Sequence, residues 1–293
     1  MKNDNLGLVL EGGGVKCAYH VGALMALHEF GYSFKAIAGA SFGALNGALY
    51  IEGGVKKLFD FYTNLQTKDI FFDENLCNFV NNFNGDKLTF TSAFMKFVKD
   101  HALSFSKDRN EISDYYHAFV AHQVNEEAVQ SSPIEFVFSA LEVNNNPLIL
   151  PVILSSYFAR NNGPLNMLID KHAIRPRLIN KVDCNKGTLP LYIAASANYP
   201  FFDPILVENN HYLDGGITNN TPYQALIDNG YQNLVIIRTK NDESQGKIPQ
   251  NDNILTIIPS ENLGSSIQFT HDNIMELIKL GYKDAMAILK PNN

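Results

Sequence analysis

The sequence predicts an α/β protein of the three-layer α/β/α type, with a mainly parallel central sheet and a helical insertion. Two strand–turn–helix units follow one another at the start of the chain, and parallel strands need such long connections. Short β-rich runs return after residue 134. Between these parts, residues 55–130 (the insertion) are rich in Asn, Lys and Phe and contain helix-length segments. We therefore predict one domain over residues 1–293 that includes the insertion.

The two opening units are defined by short apolar runs that stop at glycines. The first has a strand at Leu6–Glu11, three glycines, and apolar residues at helical intervals over Ala18–Phe30. The second has a strand at Ala36–Ala38, a turn at Gly39–Gly43 and a helix at Ala44–Ile51. Because strand and helix alternate here, this region should form the parallel part of the sheet.

The insertion is predicted to be helical and contains many phenylalanines. Helices are expected at Val55–Leu65, Phe90–His101 and Ile112–Val129. The phenylalanines are Phe59, Phe61, Phe71, Phe72, Phe79, Phe83, Phe90, Phe94, Phe97 and Phe105. Two interpretations stay open: these side chains form a small core of the insertion's own, or some of them line an apolar lid or ligand groove, because ligand pockets are mostly apolar.

The second half of the chain alternates between β-rich runs and short helices. Ile134–Val143 reads as a strand, and the turn-forming Asn144–Asn146 suggests a hairpin to Pro147–Val152. The stretch around Arg175-Pro176-Arg177 is mixed and interrupted by proline, and Thr239–Asn253 is polar and predicted to be a loop. The remaining predicted elements are a helix at Leu189–Ser196, strands at His211–Leu213, Leu234–Arg238 and Leu255–Ile258, and a final helix over Thr270–Leu289.

Composition and charge narrow the class of protein. A formal net charge of −7 and a pI of about 5.6 argue against a nucleic-acid binder and against docking through a broad polybasic patch. The three widely spaced cysteines imply no disulfide framework and favour a reducing, cytoplasmic setting. The sequence shows no signal peptide, no apolar run of transmembrane length and no calcium-loop spacing. We expect any membrane contact to be peripheral, and neither metal nor cofactor is implied.

The first motif that carries chemistry is Gly39-Ala40-Ser41-Phe42-Gly43. This G-x-S-x-G pattern lies between an apolar strand and a helix, which is the setting that a nucleophile elbow requires. Flanking glycines remove Cβ atoms that would clash in so sharp a turn. A serine at the start of a helix also faces the positive end of the helix dipole. The pattern therefore indicates a nucleophile, although a five-residue match with three fixed positions also arises by chance.

The second motif, Gly12-Gly13-Gly14-Val15-Lys16, also lies between strand and helix. Consecutive glycines let backbone N–H groups approach a small anion, such as the oxyanion that forms from a carbonyl group. A dinucleotide site would need glycine where Cys17 stands and an acidic residue near Lys35 and Ala36. A Walker loop would need Ser or Thr after Gly-Lys, which is absent. A purely structural turn remains the alternative.

The third motif is Asp214-Gly215-Gly216, which follows the strand His211–Leu213. An aspartate at a strand end, followed by glycines that leave its carboxylate open, is well placed to meet a nucleophile from another strand. An ordinary Asp-Gly turn is the alternative explanation, and for this motif alone it is the simpler one.

In this order the three motifs resemble the patatin-like phospholipase family. That family combines a G-G-G-x-[K/R] loop, a G-x-S-x-G elbow and a distant D-G-G or D-G-A aspartate. Ala194–Pro200 and Asn220–Pro222 are similar to the family's segments before and after the aspartate. The resemblance covers roughly residues 6–52 and 134–240. One departure is Cys17, where the family usually has glycine after the basic residue, which puts a tighter approach at that point in doubt.

The resemblance implies a patatin-like fold, a lipid acyl hydrolase and a Ser–Asp dyad, with Ser41 as nucleophile and Asp214 as its base. It implies oxyanion donors at Gly13 and Gly14, with help from neighbours including Phe42. The predicted oxyanion loop is Gly12, Gly13, Gly14 and Val15, and the supporting residues are Gly39, Gly43, Lys16, Gly215 and Gly216. A Ser–His–Asp triad would have to use His271, which alone among the eight histidines follows Asp214.

The implied substrates are fatty-acyl esters of phospholipids, lysophospholipids or related lipids, met at a membrane or micelle surface. Two alternatives remain: an acyltransferase of the same fold, and a catalytically silent lipid-binding module. The sequence leaves the oligomeric state open.

Overall fold

The computed structural model describes residues 5–71, 73–83, 93, 96, 102–144, 149, 151–153, 163–199, 202–241, 248–249 and 252–290, with the backbone alone over 102–110. The strands are β1 (Leu6–Leu10), β2 (Ala36–Gly39), β3 (Glu135–Val143), β4 (Ile174–Asn180), β5 (Ile205–Val207), β6 (Asn210–Asp214), β7 (Asn233–Ile237) and β8 (Ile254–Ile257). The helices are α1 (Ala18–Glu29), α2 (Phe42–Asn64), α3 (Thr67–Ile70), α4 (Glu74–Asn81), α5 (Ala102–His122), α6 (Glu126–Ser131), α7 (Gly163–Asp170), α8 (Leu189–Ser196), α9 (Tyr223–Asp228) and α10 (His271–Leu289).

The described strands form one mixed sheet. Hydrogen-bonded neighbours follow the order β5-β6-β3-β2-β1-β7-β8, and β4 pairs with β3. The pairings among β1, β2, β3, β7 and β8 are parallel, whereas β4 and β6 are antiparallel to β3 and β5 is antiparallel to β6. The predicted α/β class is confirmed, with a parallel centre and an antiparallel flank.

Helices cover both faces of the sheet. Side chains alternate across a strand, and the central strands present apolar side chains on both faces. On one face, Leu6, Leu8 and Leu10 of β1 join a core made with α1, α2, α5, α8 and α10. On the other face, Val9 packs in a cluster that includes α9, and Leu141 packs in a cluster that includes α7. The protein therefore has the three predicted layers. Within the described part of the chain, no helix combines the length and apolarity that crossing a membrane requires.

Several predicted boundaries change. Helix α2 starts two residues earlier than expected and continues past a kink at Gly53–Gly54 to Asn64, so it absorbs the helix predicted at Val55–Leu65. The predicted helix over Ile112–Val129 is divided between α5 and α6, because Asn125 caps α6 by accepting a hydrogen bond from the Ala128 N–H at 3.1 Å.

The predicted hairpin after β3 is wrong. Residues 149 and 151–153, which include part of the expected strand Pro147–Val152, are helical, and β3 pairs instead with β4 and β6. Strand β4 contains Pro176 and pairs with β3 and with no other described strand. It is thus an edge strand, which is where proline is usually found in sheets. Of the predicted helix Phe90–His101, only residues 93 and 96 are described, and both are helical.

The described phenylalanines of the insertion do not form a separate core. Phe61 and Phe71 are buried in the same core as the sheet, and Phe71 packs edge-on against Phe269 with ring centroids 6.3 Å apart. In α5, Tyr116 is buried and stacks on Phe202 with centroids 4.4 Å apart. For the described phenylalanines the first interpretation was therefore wrong, and a lid stays a prediction. Phe72, Phe90, Phe94 and Phe97 and the side chain of Phe105 lie outside the described residues.

Candidate active site

Strands β2 and β6 bring two distant parts of the chain to neighbouring positions on β3. Gly39, the last residue of β2, pairs with Phe138, and Asp214, the last residue of β6, pairs with Ala140. Because β2 runs parallel and β6 antiparallel to β3, the two strands run toward each other on either side of β3, and their carboxyl ends meet near Ser139. The residues that follow them are therefore adjacent in space.

Ser41 occupies the sharp turn between β2 and α2. Its backbone has φ 55° and ψ −134°, a combination that costs a non-glycine residue about 1–3 kcal/mol and persists where the surroundings impose it. The helix begins at the next residue, so the positive end of its dipole lies at the serine. The Ser41 N–H donates to Oγ of Ser196 at 3.1 Å, which holds the turn from a separate helix. This is the geometry of a nucleophile elbow.

The two glycines of the elbow are required by close packing. A Cβ added to Gly43 would lie 2.2 Å from the carbonyl oxygen of Leu10, at the end of β1. A Cβ added to Gly39 would lie 2.6 Å from the carbonyl oxygen of Gly43. The first approach places the elbow directly against β1, and the second closes the elbow on itself.

Ser41 and Asp214 are joined by a direct hydrogen bond. The serine hydroxyl donates to Oδ2 of Asp214 at 2.6 Å, and the Gly216 N–H donates to Oδ1 at 2.7 Å. Both side chains are nearly buried, with exposed fractions of 7% and 8%. Burial raises the pKa of Asp214 from 3.8 to about 7, against the opposing effect of the hydrogen bonds from Ser41 and Gly216. The carboxylate is therefore far more basic than an exposed aspartate.

Gly215 and Gly216 set the direction of that carboxylate. A Cβ on Gly215 would lie 2.2 Å from the backbone of Ser139 on β3, so the turn after Asp214 packs directly against the sheet. The Gly216 N–H then reaches back to the aspartate side chain. Only glycine permits the first of these approaches without a shift of the backbone.

The glycine loop lies against the serine. A Cβ on Gly12 would lie 2.8 Å from Cβ of Ser41. The Gly12 N–H donates to the carbonyl oxygen of Asn220 at 3.1 Å, and the Val15 N–H donates to that of Ser266 at 2.9 Å. Across the described residues, the N–H groups of Gly13 and Gly14 meet no protein acceptor. Of the four residues predicted for the oxyanion loop, Gly13 and Gly14 therefore have a backbone N–H group without a protein acceptor among the described residues.

Gly14 has a conformation that favours glycine, with φ 59°. A Cβ at this position would also lie 2.1 Å from the Tyr199 hydroxyl. That hydroxyl donates to the carbonyl oxygen of Ser266 at 2.6 Å, the same oxygen that accepts from Val15. Ser266, in the segment that precedes α10, therefore helps to hold the loop in place.

A buried charged network supports the start of the glycine loop. The Glu11 carboxylate is fully buried and lies 3.2 Å from Nη2 of Arg238. It also accepts from the Thr239 N–H at 2.6 Å and from the Thr221 hydroxyl at 3.0 Å. Removing one partner of such a pair costs about 3–5 kcal/mol, since an uncompensated buried charge remains. None of these residues was predicted from the sequence to contribute to the site.

The two residues that follow the loop are partly or fully buried. Lys16 is half-buried in the short 3-10 turn Gly14–Cys17. Cys17 is fully buried, and burial, with a smaller contribution from nearby Glu11, raises the pKa of its thiol. The protonated thiol fits where the family usually has glycine, and it is a poor nucleophile. Cys17, Cys77 and Cys184 are all free.

No histidine lies between the serine and the aspartate, because their hydrogen bond is direct. His271 is exposed at the first turn of α10. His20 is buried next to Asn46, and desolvation lowers its pKa to about 3. Among the described residues, no group of three or more His, Cys, Asp or Glu side chains could hold a metal ion.

Three polar residues at the site were missed by reasoning from the sequence. Ser196 accepts from the Ser41 N–H, and Asn220 and Thr239 both donate to the carbonyl oxygen of Gly12, at 3.1 and 2.6 Å. Ser196 and Asn220 lie in the two segments that resemble the family, but that resemblance gave them no role. Nothing in the local pattern around Thr239 indicated a contact with the glycine loop.

Fold and site together define a class: an α/β protein with a strained, aspartate-bonded serine at a strand–helix elbow beside a glycine loop. The family model described as Patatin-like phospholipase matches residues 8–227, well over half of the chain. The protein belongs to the patatin-like phospholipase family.

Similarity to individual proteins is local in sequence. The chain is 49% identical over 47 residues to "Lysophospholipase NTE1" of Cryptococcus neoformans, a match that covers 16% of this chain and 3% of that protein. It is 51% identical over 52 residues to "Patatin-like phospholipase domain-containing protein ZK370.4" of Caenorhabditis elegans, covering 18% and 4% respectively. The matches thus span only a small part of these relatives.

Similarity in structure extends over the chain. The crystal structure of VipD from Legionella pneumophila superposes with a TM-score of 0.50 at 12% sequence identity, covering 99% of this chain and 67% of that one. At this identity the likeness concerns the fold alone.

Proposed function

We propose that this protein is a serine acyl hydrolase that cleaves fatty-acyl esters of phospholipids, lysophospholipids or related lipids. The observation that carries the proposal is the 2.6 Å hydrogen bond from the Ser41 hydroxyl to Asp214, at a strained turn beside the glycine loop. Membership of the patatin-like phospholipase family supports the lipid substrate class. The substrate would be met at a membrane or micelle surface by a cytoplasmic protein.

In the first half of the reaction, Ser41 Oγ attacks the ester carbonyl carbon while its proton passes to Oδ2 of Asp214. An aspartate with an ordinary pKa near 3.9 is a weak base for a hydroxyl group. Burial removes part of this difficulty, because it raises the pKa of Asp214 to about 7. The Gly216 N–H holds the other carboxylate oxygen and keeps Oδ2 directed at the serine.

The tetrahedral intermediate carries negative charge on the former carbonyl oxygen. The N–H groups of Gly13 and Gly14 are the donors available for it, with Phe42 N–H at the helix start as a further candidate. The N–H groups of Gly12 and Val15 already donate to carbonyl oxygens. Their part is to hold the loop in place.

Collapse of the intermediate breaks the bond to the alcohol, which takes the proton from Asp214 and leaves an acyl-enzyme on Ser41. Water then attacks the acyl carbon while Asp214 accepts its proton, and the fatty acid is released as Ser41 regains a proton. The scheme uses the same base and the same oxyanion donors twice. It requires no cofactor.

A labelling and product experiment tests the proposal. The protein should react with a fluorophosphonate probe, hydrolyse a short-chain nitrophenyl ester, and release free fatty acid from mixed phospholipid vesicles, as measured by mass spectrometry. If the acyl chain is transferred to an added alcohol in preference to water, the acyltransferase alternative holds. If the folded protein binds vesicles but neither labels nor turns over any ester, it is a silent lipid-binding module.

The activity should depend on pH through Asp214. The carboxylate accepts a proton only when it is ionised, and its pKa is raised from 3.8 to about 7. We therefore expect kcat/KM for a nitrophenyl ester to rise about tenfold per pH unit below pH 7 and to level off above it. The measurement is kcat/KM between pH 5 and 9, with product followed at a pH-independent wavelength.

His117 provides the control for this profile, because a histidine could also titrate in the neutral range. Its Nε2 lies 3.1 Å from Oδ1 of Asn198, and burial lowers its pKa. The substitution His117→Gln should leave the midpoint near pH 7. A midpoint near pH 4 in the wild type, or one that disappears in His117→Gln, would contradict the assignment to Asp214.

A further inference from the structure

The carbonyl oxygen of Gly12, in the loop beside the serine, accepts hydrogen bonds from two side chains. It accepts from the Thr239 hydroxyl at 2.6 Å and from the Asn220 side-chain amide at 3.1 Å. The Gly12 N–H meanwhile donates to the carbonyl oxygen of Asn220 at 3.1 Å. Residues from two distant parts of the chain thus hold one glycine of the loop at both its donor and its acceptor.

The carbonyl group of Gly12 and the N–H group of Gly13 belong to the same peptide unit. That unit is planar and trans, so the two groups point in opposite directions. Fixing the oxygen with two donors therefore fixes the direction of the Gly13 N–H. It also polarises the unit, because hydrogen bonds in a chain strengthen one another. The Gly13 N–H is free of protein acceptors in the described structure, and Gly12 lies against Ser41.

We propose that Thr239 and Asn220 are positioning residues that orient the Gly13 N–H as an oxyanion donor by holding the Gly12 carbonyl. This proposal rests on the proposed function. Neither side chain contacts the reacting atoms, so both act through the peptide unit between Gly12 and Gly13.

Thr239 is itself held in place by Glu11. The Glu11 carboxylate accepts from the Thr239 N–H at 2.6 Å and pairs with Arg238, which precedes Thr239 in the chain. Thr239 is 1% exposed, and a Cβ added to Gly13 would lie 2.8 Å from its hydroxyl oxygen. The hydroxyl is therefore packed against the loop that it bonds. The hydroxyl also lies 3.4 Å from Oε2 of Glu11, so the Gly12 carbonyl at 2.6 Å is its nearer acceptor.

The decisive variant is Thr239→Val, which keeps the shape of the side chain and removes its hydroxyl donor. Deleting a direct oxyanion donor lowers kcat by about 10²–10³-fold. An indirect effect through Thr239 should be smaller, and we expect kcat for a nitrophenyl ester to fall about tenfold or more. KM should stay within about twofold, because the oxyanion forms only after binding. The rate of fluorophosphonate labelling should fall in parallel.

Two controls separate positioning from stability. Thr239→Ser keeps the donor and should retain kcat to within about threefold. Thr67 is another buried threonine, and its hydroxyl lies 2.6 Å from Oδ1 of Asn81 and 2.9 Å from the carbonyl oxygen of Phe269. Thr67→Val should therefore lower the melting temperature by a similar amount without lowering kcat. Asn220→Ala, at a half-buried position, gives a second test in case Thr239→Val does not fold, and it too should lower kcat.

The proposal is overturned if Thr239→Val folds and retains wild-type kcat, or if Thr239→Ser loses as much kcat as Thr239→Val. It is also overturned if Thr67→Val lowers kcat equally, because the effect would then follow stability. If Thr239→Val does not fold, unchanged kcat in Asn220→Ala overturns it. A wild-type protein that neither labels nor turns over any ester would instead refute the proposed function.

Discussion

Ser41→Ala should abolish both ester hydrolysis and fluorophosphonate labelling. The hydroxyl is the only group of Ser41 that donates to Asp214, and alanine leaves no nucleophile at the turn. We expect kcat to fall by about four to six orders of magnitude, as when the nucleophile of other serine hydrolases is removed. Release of free fatty acid from phospholipid vesicles measures the loss, and thermal unfolding checks that the variant is folded.

Ser139→Ala is the matched control for this variant. Ser139 is 1% exposed and lies beneath Gly215, close to Asp214, yet its hydroxyl has no hydrogen-bond partner among the residues that the structure describes. Removing an unpaired buried hydroxyl should cost little stability. Full activity in Ser139→Ala together with none in Ser41→Ala would tie the chemistry to Ser41. Equal activity in both variants would refute the assignment of the nucleophile.

Asp214→Asn should lower kcat by about four orders of magnitude while the protein stays folded. The asparagine side chain has nearly the same shape, and its single amide oxygen can still accept from the Gly216 N–H while its NH2 group faces the serine, but it cannot take up the serine proton. The remaining activity should lose its dependence on pH around 7. The measurement is kcat over the pH range used for the wild type.

The same substitution should stabilise the folded protein at high pH. The pKa of Asp214 is raised on folding, from 3.8 to about 7. The stability associated with this group is complete below about pH 4 and decreases as the pH rises through 7. Asparagine stays neutral, so the melting temperature of Asp214→Asn should exceed that of the wild type at pH 8, with a smaller difference at pH 5. An equal difference at both values would contradict the raised pKa.

Asp284→Asn is the control for both measurements. Asp284 is also a buried aspartate, and it accepts hydrogen bonds from the Tyr19 hydroxyl at 3.0 Å and from the N–H and hydroxyl groups of Ser260 at 2.9 and 2.7 Å. Its neutralisation should weaken these bonds and reduce stability without lowering kcat per folded molecule. A loss of kcat in Asp284→Asn as large as that in Asp214→Asn would show that any buried carboxylate change disables the protein.

Elements with a strong local pattern were predictable. The strands β1 and β2 and the helix α1 lie within about two residues of their predicted bounds, because apolar runs and glycines mark them within a few positions. Strands β4 and β5 were missed. Strand β4 is mostly exposed and contains Pro176, and β5 has only three residues. Both depend on pairing with distant strands, which a local pattern does not reveal.

The site residues also differ in how far a local sequence pattern predicts them. The sequence marked Ser41 through its strand–turn–helix setting, and the strained backbone at that turn agrees with it. Asp214 was proposed mainly from the family resemblance, since an Asp-Gly turn is common. Its contact with Ser41 spans 173 residues of sequence and depends on how β6 pairs with β3. No local pattern contains that pairing.

The sequence by itself determined the family, the α/β class, the order of the motifs and the position of the candidate nucleophile. These follow from residue types at short spacing, because backbone conformation and glycine requirements act over a few residues. Tertiary structure alone decided which loop N–H groups are free, since the carbonyl oxygens of Asn220 and Ser266 occupy those of Gly12 and Val15. It also decided the basicity of Asp214, because burial by distant elements raises a pKa that the isolated residue would not have.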